Sequence, residues 1–283
     1  DNAIDAGASS IELHLEAGGT EAVRLVDDGC GMGSEDLALC CIPHATSKIE
    51  SIEDLSVITS LGFRGEALAS IASCTRLSIT SSNGTDGGKL VIHGGELVVR
   101  EDAPLKRGTI VEARDLFFNM PARKKFLKST ASEGTGCKTT FIEKALPFPD
   151  ITFRYFSDGE LRFFLPASDL MERVCAAYSG QVERNFIHEV QEDFGSFSLH
   201  AVVGGPSLFR KDRKFMQIFV NGRRIQEFSL VQAVEYGFTG FLPGGHYPVF
   251  FVFISVDPSL IDFNIHPAKR EVRYKNLPEI HHG

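Results

Sequence analysis

Two short acidic, glycine-bearing strings, DNAIDAG at Asp1–Gly7 and VDDGCGM at Val26–Met32, stand one hairpin apart and constrain the fold more than any other feature. The first reads as the end of a helix: Ala3, Ile4 and Ala6 suit its body, and Gly7 suits a C-terminal cap. Between the strings, Ile11-Glu-Leu-His-Leu15 alternates apolar with polar residues, Gly18-Gly19 turns the chain, and Val23 and Leu25 alternate again. Period-two alternation on both sides of a glycine turn predicts a half-buried β-hairpin. The second string therefore leaves a strand and enters a turn whose glycines let another group approach the backbone closely.

Downstream, Ser34–Cys41 is helical in composition, with Ser34 as N-cap and Asp36 in the first turn. Pro43–Ile52 is a polar loop, and Gly65–Ala72 a second helix. Strands are expected at Arg76–Ser81, Lys89–His93, Glu96–Arg100 and Thr109–Ala113, with Asn83-Gly84 and Gly94-Gly95 at turns. This order predicts an α+β layer, an antiparallel-rich sheet with helices on one face. The pattern pauses near Pro166–Asp169. A helix at Leu170–Tyr178 follows, then strands at Ser198–Val203, Phe215–Val220 and Pro248–Val256, with a helix at Ser229–Gly237 between the last two. The expected division is 1–166 and 167–283.

Hydrophobic residues make up 43% and charged residues 23%, as in an ordinary soluble chain, and no apolar run nears the roughly 20 residues that span a bilayer. The chain opens with Asp rather than Met, and opens inside a motif, so residues upstream are expected to be missing. Six cysteines (Cys30, Cys40, Cys41, Cys74, Cys137, Cys175) show no zinc spacing and read as buried thiols of a reducing compartment. Adjacent Cys40 and Cys41 are a weak redox hint. The net charge of −8 argues against nucleic-acid binding by the whole surface. The charge is uneven, however: residues 1–60 carry twelve acids against Arg24 and Lys48, and residues 207–226 carry six bases against Asp212.

Together the strings suit an ATP site without a Walker lysine loop. The Asp27 carboxylate can accept from the exocyclic amine of adenine, and its burial demands such a partner. Asn2 can offer its amide oxygen to Mg²⁺, with Asp5 one turn on along the same helix face. Gly62-Phe-Arg-Gly-Glu66 precedes an apolar helix, whose N-terminal N–H groups attract phosphate. Thr46, Ser47 and Lys48 lie in the polar loop before it, within reach of phosphates as a lid. Lys269, in NIHPAKRE at Asn264–Glu271, can neutralise a terminal phosphate, and His266 reads as a structural loop histidine. Read singly, each string also has a plain structural meaning: a strand-to-helix turn, a polar helix end, a capped loop.

Seven strings in order carry a resemblance: DNAIDAGAS, DDGCGM, HATSKI (His44–Ile49), LGFRGEALASI (Leu61–Ile71), LFFNMPARKKFL (Leu116–Leu127), FVNGRRI (Phe219–Ile225) and NIHPAKREVRY (Asn264–Tyr274). The chain resembles the GHKL ATPases, and within them the MutL family of mismatch repair proteins, over essentially its whole length. The resemblance implies a GHKL (Bergerat) α/β sandwich followed by a ribosomal-protein-S5-like α/β domain. It implies Asn2 as the magnesium ligand and Asp27 as the adenine-binding aspartate. Ala6, Gly31 and Met32 would line the nucleotide, Thr46, Ser47 and Lys48 would form the lid, and Gly62, Phe63, Arg64, Gly65, Glu66, Ala67 and Leu68 the phosphate loop. Thr109 would stand at the pocket wall, and Lys269 would reach the γ-phosphate as the catalytic lysine.

The implied activity is ATP hydrolysis coupled to closure of a dimer, with a MutS-type mismatch-recognition partner and no membrane. Backbone-directed DNA binding would use Arg223, Arg224, Arg123 and Lys124, with Lys125, Lys128 and the rest of the 210–224 cluster. The compartment would be the bacterial cytoplasm, near the nucleoid, or a eukaryotic nucleus. Two other readings share these features: a type II topoisomerase ATPase region, and a nucleotide-gated interaction module without turnover. The family's general-base glutamate stands one turn before the Asn2 position, ahead of Asp1, so this segment is expected to bind ATP weakly and turn it over poorly. The family's N-terminal arm and its C-terminal dimerisation domain are likewise expected beyond the chain.

Overall fold

The computed structural model describes residues 1–43, 60–62, 65–103, 106–262 and 273–274. The expected helix end is α1 (Asn2–Asp5), and the hairpin is β1 (Ser10–Glu16) with β2 (Ala22–Asp27), antiparallel and registered from Ile11 opposite Asp27 to Glu16 opposite Ala22. Next come α2 (Ser34–Leu39), α3 (Ala67–Cys74) and the strands β3 (Arg76–Ser82), β4 (Gly87–His93), β5 (Glu96–Glu101) and β6 (Gly108–Arg114). A short helix α4 (Pro121–Lys124), a long helix α5 (Thr130–Ala145), and strands β7 (Thr152–Ser157) and β8 (Glu160–Leu165) complete this half.

The chain divides into two compact units. One holds most of the chain up to Ile142 together with Asp150–Ala167; the other holds Glu143–Pro149 and the chain from Ser168. In the first unit, strands run in the order β5-β4-β3-β6-β2-β1-β7-β8, and only the β1–β7 pair is parallel. Leu37 of α2 and Ala72 of α3 pack on Leu77, Ile79, Leu90 and Ile92. Phe141 of α5 meets Phe153 and Tyr155 of β7, which lie opposite Ile11 and Leu13 on that same face. The other face carries charge: Glu12 bridges to Arg154, Arg114 bridges to Glu16 and Glu112, and His14 stacks on Phe156. The alternation in β1 and β2 thus sorts the sheet into a covered apolar side and an open polar one, as the α+β expectation requires.

Three local expectations shift. Ser34 is the first helical residue rather than the cap; Gly33 holds the cap position, while the Ser34 N–H and hydroxyl both donate to the Asp86 carboxylate at 2.7 and 2.9 Å. The second helix starts at Ala67, because Gly65 takes a left-handed φ of 63° that ends any helical run. Helix α5 is absent from the sequence reading. Its first turns hold Gly134 and Gly136 and are poor in apolar residues, but a Cβ at Gly18 would lie 2.1 Å from the Thr130 carbonyl oxygen. Tertiary contact, with the turn after β1 at one end and through buried Phe141, Ile142 and Ala145 at the other, holds this helix rather than propensity.

The second unit contains α6 (Leu170–Ala177), capped by the Asp169 carboxylate on the Glu172 N–H at 2.7 Å, then β9 (Ile187–Asp193), β10 (Phe197–Gly204), β11 (Phe209–Arg210), β12 (Met216–Val220) and β13 (Arg223–Ile225). Helix α7 (Phe228–Gly237) and strands β14 (Tyr247–Pro248), β15 (Phe250–Val256), β16 (Ile261–Asp262) and β17 (Arg273–Tyr274) follow. The expected strand at Pro248–Val256 is therefore two strands, and β9 was not anticipated. The main sheet has the order β13-β12-β15-β10-β9, with β12 and β15 parallel. Leu230 and Val234 of α7 cover Met216, Ile218, Phe250 and Val252, while Tyr178, just after α6, stacks on Phe251. Cover on both faces explains why β12 and β15 are nearly continuous apolar runs. Arg173 of α6, fully buried, donates to the carbonyls of Ala145, Phe148 and Pro149 at 2.9, 3.2 and 2.8 Å. Among the described residues no helix is long and apolar enough to cross a membrane.

Candidate functional site

The covered face of the first sheet is apolar in successive rows. Leu25, Val111, Ile79 and Leu90 lie side by side across β2, β6, β3 and β4, and Val23, Ala113, Leu77 and Ile92 form the row beyond. At the end of the sheet the next row breaks the rule: Asp27, Thr109, Ser81 and Gly88 occupy the same positions. A polar row on a face otherwise built to be buried breaks the pattern that core packing sets.

Ser81 is fully buried, and its hydroxyl is saturated: it accepts from the Met32 N–H at 2.8 Å, meets the Thr109 hydroxyl at 2.8 Å and the Gly108 carbonyl at 3.2 Å. Asp27 accepts from the Gly29 N–H at 3.0 Å. Burial pushes the Asp27 carboxyl above the usual range, and the nearby Asp28 charge adds to this, while the Gly29 and Thr109 backbone N–H groups oppose it. Asp28 differs. Its slight burial is outweighed by bonds from the Ser9 hydroxyl (2.5 Å) and the Ser9 and Ser10 N–H groups (2.7 and 2.8 Å), which hold its carboxyl low. The two neighbouring acids thus split their roles: Asp28 anchors the start of β1, and Asp27 faces the polar row.

The turn from Asp28 to Met32 is pressed onto its surroundings. Gly31 has φ 67°, and a Cβ there would sit 1.8 Å from the Ser82 carbonyl oxygen; a Cβ at Gly108 would sit 2.3 Å from the Asp27 carbonyl oxygen. The Cys30 N–H donates to the Ala6 carbonyl at 2.8 Å, which ties this turn to α1. Beside it, the Asp5 carboxylate accepts from the Leu61 N–H at 2.8 Å and the Gly62 N–H at 3.0 Å, one oxygen each. The Ser60 hydroxyl donates to the Gly62 carbonyl at 2.8 Å. The structure therefore brings Asn2, Ala6, Asp27, Gly31, Met32, Gly62 and Thr109 into one neighbourhood of the first unit, with Gly65, Glu66, Ala67 and Leu68 leading into α3. Thr46, Ser47, Lys48, Phe63, Arg64 and Lys269 lie outside the described residues. Sequence reasoning missed Ser81. Its signal was its phase: in Leu77-x-Ile79-x-Ser81 it falls on the buried side.

The basic residues separate into two kinds. Arg123 and Lys124 of α4 are exposed, as are Lys125 and Lys128, beside Phe126 at 85% exposure. Lys211, Arg213 and Lys214 are also exposed. Arg223 and Arg224 are not part of an open basic face. Arg223 is 5% exposed on β13, and the Arg224 guanidinium donates to the carbonyls of Met216 and Ile225 at 3.2 and 2.6 Å. Burial withdraws Arg223 from the surface, and for Arg224 carbonyls of β12 and β13 take donors that a phosphate would need. The cysteines are free, but none is buried: Cys30 is exposed and the other five are half-buried.

Family models match both halves of the chain. Residues 1–109 match the model "Histidine kinase-, DNA gyrase B-, and HSP90-like ATPase", and residues 175–283 match "DNA mismatch repair protein, C-terminal domain". A relative described as "DNA mismatch repair protein MutL" from Borreliella afzelii is 38% identical over 279 residues, covering 98% of this chain and 46% of its own length. The chain spans about half the length of the curated relatives it matches. Two solved structures share the fold. "Aquifex aeolicus MutL ATPase domain complexed with ADP" aligns with TM-score 0.68 at 24% identity, over 91% of this chain and 88% of that one. "Crystal Structure of N terminal domain of a DNA repair protein" aligns with TM-score 0.81 at 23% identity, over all of this chain and 88% of that one. The first unit thus has the GHKL ATPase fold, within an α+β chain, and the chain belongs to the MutL family of DNA mismatch repair proteins.

Proposed function

We propose that the polar end of the first sheet binds the adenine nucleotide of a mismatch-repair ATPase. The observation that carries this reading is the row Asp27–Thr109–Ser81, at the end of an otherwise apolar face and flanked by glycines whose Cβ space is already filled. A half-buried carboxylate with a raised proton affinity suits the exocyclic amine of adenine, which gives it the donor that burial removed. Met32, fixed by Ser81, and Ala6, fixed by Cys30, would flank the base. The solved relative complexed with ADP supports the ligand class.

Magnesium fits as a partner held mainly by phosphate. No cluster of three or more His, Cys, Asp or Glu ligands occurs among the described residues, so the Asn2 amide oxygen would complete a coordination shell built on phosphates and water. The ion would neutralise phosphate charge. The chain's own residues would do the rest: Asp27 selects the base, the loop after Gly62 and the start of α3 meet phosphate, and Lys269 neutralises the terminal phosphate. Thr46, Ser47 and Lys48 would close over the nucleotide and present a surface to a second subunit, hydrolysis resetting the switch. Closure in this scheme signals to a MutS-type partner.

DNA contact would rest on exposed cations, Arg123, Lys124, Lys125 and Lys128 in the first unit and Lys211, Arg213 and Lys214 in the second, through salt-sensitive phosphate contacts. The test of the nucleotide reading is calorimetry of ATP binding to Asp27→Asn, which keeps the shape and removes the charge. Affinity is expected to fall by about tenfold or more. Unchanged affinity would sink it.

A further inference from the structure

We infer that Asp5 is the positioning residue for phosphate recognition, holding the Leu61–Gly62 turn against the helix that carries Asn2. This rests on the nucleotide reading above and deepens it. Asp5 lies three residues after Asn2, so both side chains share one face of α1. That face is turned to the Leu61–Gly62 segment, because both Asp5 carboxylate oxygens accept from it, at 2.8 and 3.0 Å. Two consecutive backbone N–H groups converging on one carboxylate form an anion-binding concavity. Here it is filled from within the chain, so these donors are spent on fixing the turn. Leu61 is buried, and the Ser60 hydroxyl secures the Gly62 carbonyl from the other side. The turn is held at three points before the chain passes through left-handed Gly65 into α3. One carboxylate therefore links the segment bearing the proposed metal ligand to the segment leading to the proposed phosphate-binding helix start. Asp5 acts on phosphate only by fixing the turn that leads to the start of α3, while base recognition belongs to Asp27, on strand β2.

The experiment compares the 283-residue protein with Asp5→Asn and Asp5→Ala, measuring adenosine by ligand-observed NMR and ADP and ATP by calorimetry, each with magnesium and with excess EDTA. Asparagine keeps one acceptor and turns an amide donor toward the other N–H; alanine removes both. For ATP and ADP the expected loss is about tenfold or more, larger for alanine, with adenosine affinity changed less than about twofold, and with the loss persisting in EDTA. Hydrogen exchange at the Leu61 and Gly62 amides should accelerate in both variants, a readout that needs no ligand. An equal loss for adenosine and ATP would reduce Asp5 to a structural residue and overturn the inference. Loss confined to magnesium would make Asp5 a metal ligand, and tighter ATP binding would make it a competitor of phosphate; either overturns it as well. If the unaltered protein binds neither adenosine nor ADP, the nucleotide reading itself fails first.

Discussion

Ser81→Ala is the sharpest probe of the polar row. The substitution removes one buried oxygen and strips three groups of a partner: the Met32 N–H, the Thr109 hydroxyl and the Gly108 carbonyl. The void is that of a single atom, so packing loss is small. The unsatisfied Met32 N–H dominates, since a buried donor without an acceptor costs about 1–3 kcal/mol. Thr109 can rotate toward the freed Gly108 carbonyl and recover part of the remainder. The expected net loss is about 2 kcal/mol, or roughly 4–8 °C in melting temperature for a unit of this size. Thr109→Val leaves the Ser81–Met32 bond in place and should cost about 1 kcal/mol or less. Amide exchange at residues of β2, β3 and β6 reports the first unit alone, and exchange at Met32 reports the bond itself. A loss below about 0.5 kcal/mol, with Met32 exchange unchanged, would show that the row tolerates apolar replacement, and the argument for a built polar floor would fail.

Three further outcomes follow from single contacts. Gly31→Ala places a Cβ 1.8 Å from the Ser82 oxygen at φ 67°, and should cost more than about 3 kcal/mol; a melting temperature within about a degree of the parent would contradict the backbone geometry. Arg173→Met leaves the carbonyls of Ala145, Phe148 and Pro149 without their buried donor, and should lower the urea midpoint of the second unit by an amount equivalent to roughly 3 kcal/mol. Asp28 gives a pH signature: its carboxyl is lowered in the fold, so its stabilisation is present above the unfolded value of about 4 and is lost as pH falls through the folded one. Asp28→Asn should therefore destabilise at pH 7 and converge with the parent near about pH 2, as checked by melting across that range; a constant gap would refute the assignment.

Much of the first unit was legible because its strands alternate. Ile11 to Leu15 and Val23 to Leu25 gave the hairpin, and the polar residues between them do face the open side. The glycines at 29 and 31 could be read as close-approach points, and the structure shows what approaches: Ala6 and the Ser82 carbonyl. Helix α5 was illegible because its glycine-bearing first turns lie against the turn at Gly18, a partner more than a hundred residues away, and only its C-terminal end carries buried apolar residues. The setting of Arg223 and Arg224 was illegible because composition does not reveal direction. A run of cations looks solvated until the fold buries Arg223 and the carbonyls of Met216 and Ile225 take up Arg224.

The residues alone determined which chemical groups exist and in what phase they recur: acid, amide and glycine at fixed spacing, apolar side chains every second position. Those are local properties, set by backbone geometry over a few residues. Only the folded chain decided that Asp27, Thr109 and Ser81 share one row, since that depends on how β2, β6 and β3 register against each other across more than eighty residues. It also decided that of two adjacent aspartates one is half-buried and the other is held by Ser9 and Ser10. Desolvation and hydrogen bonding are set by neighbours in space, and the sequence names those neighbours without saying where they meet.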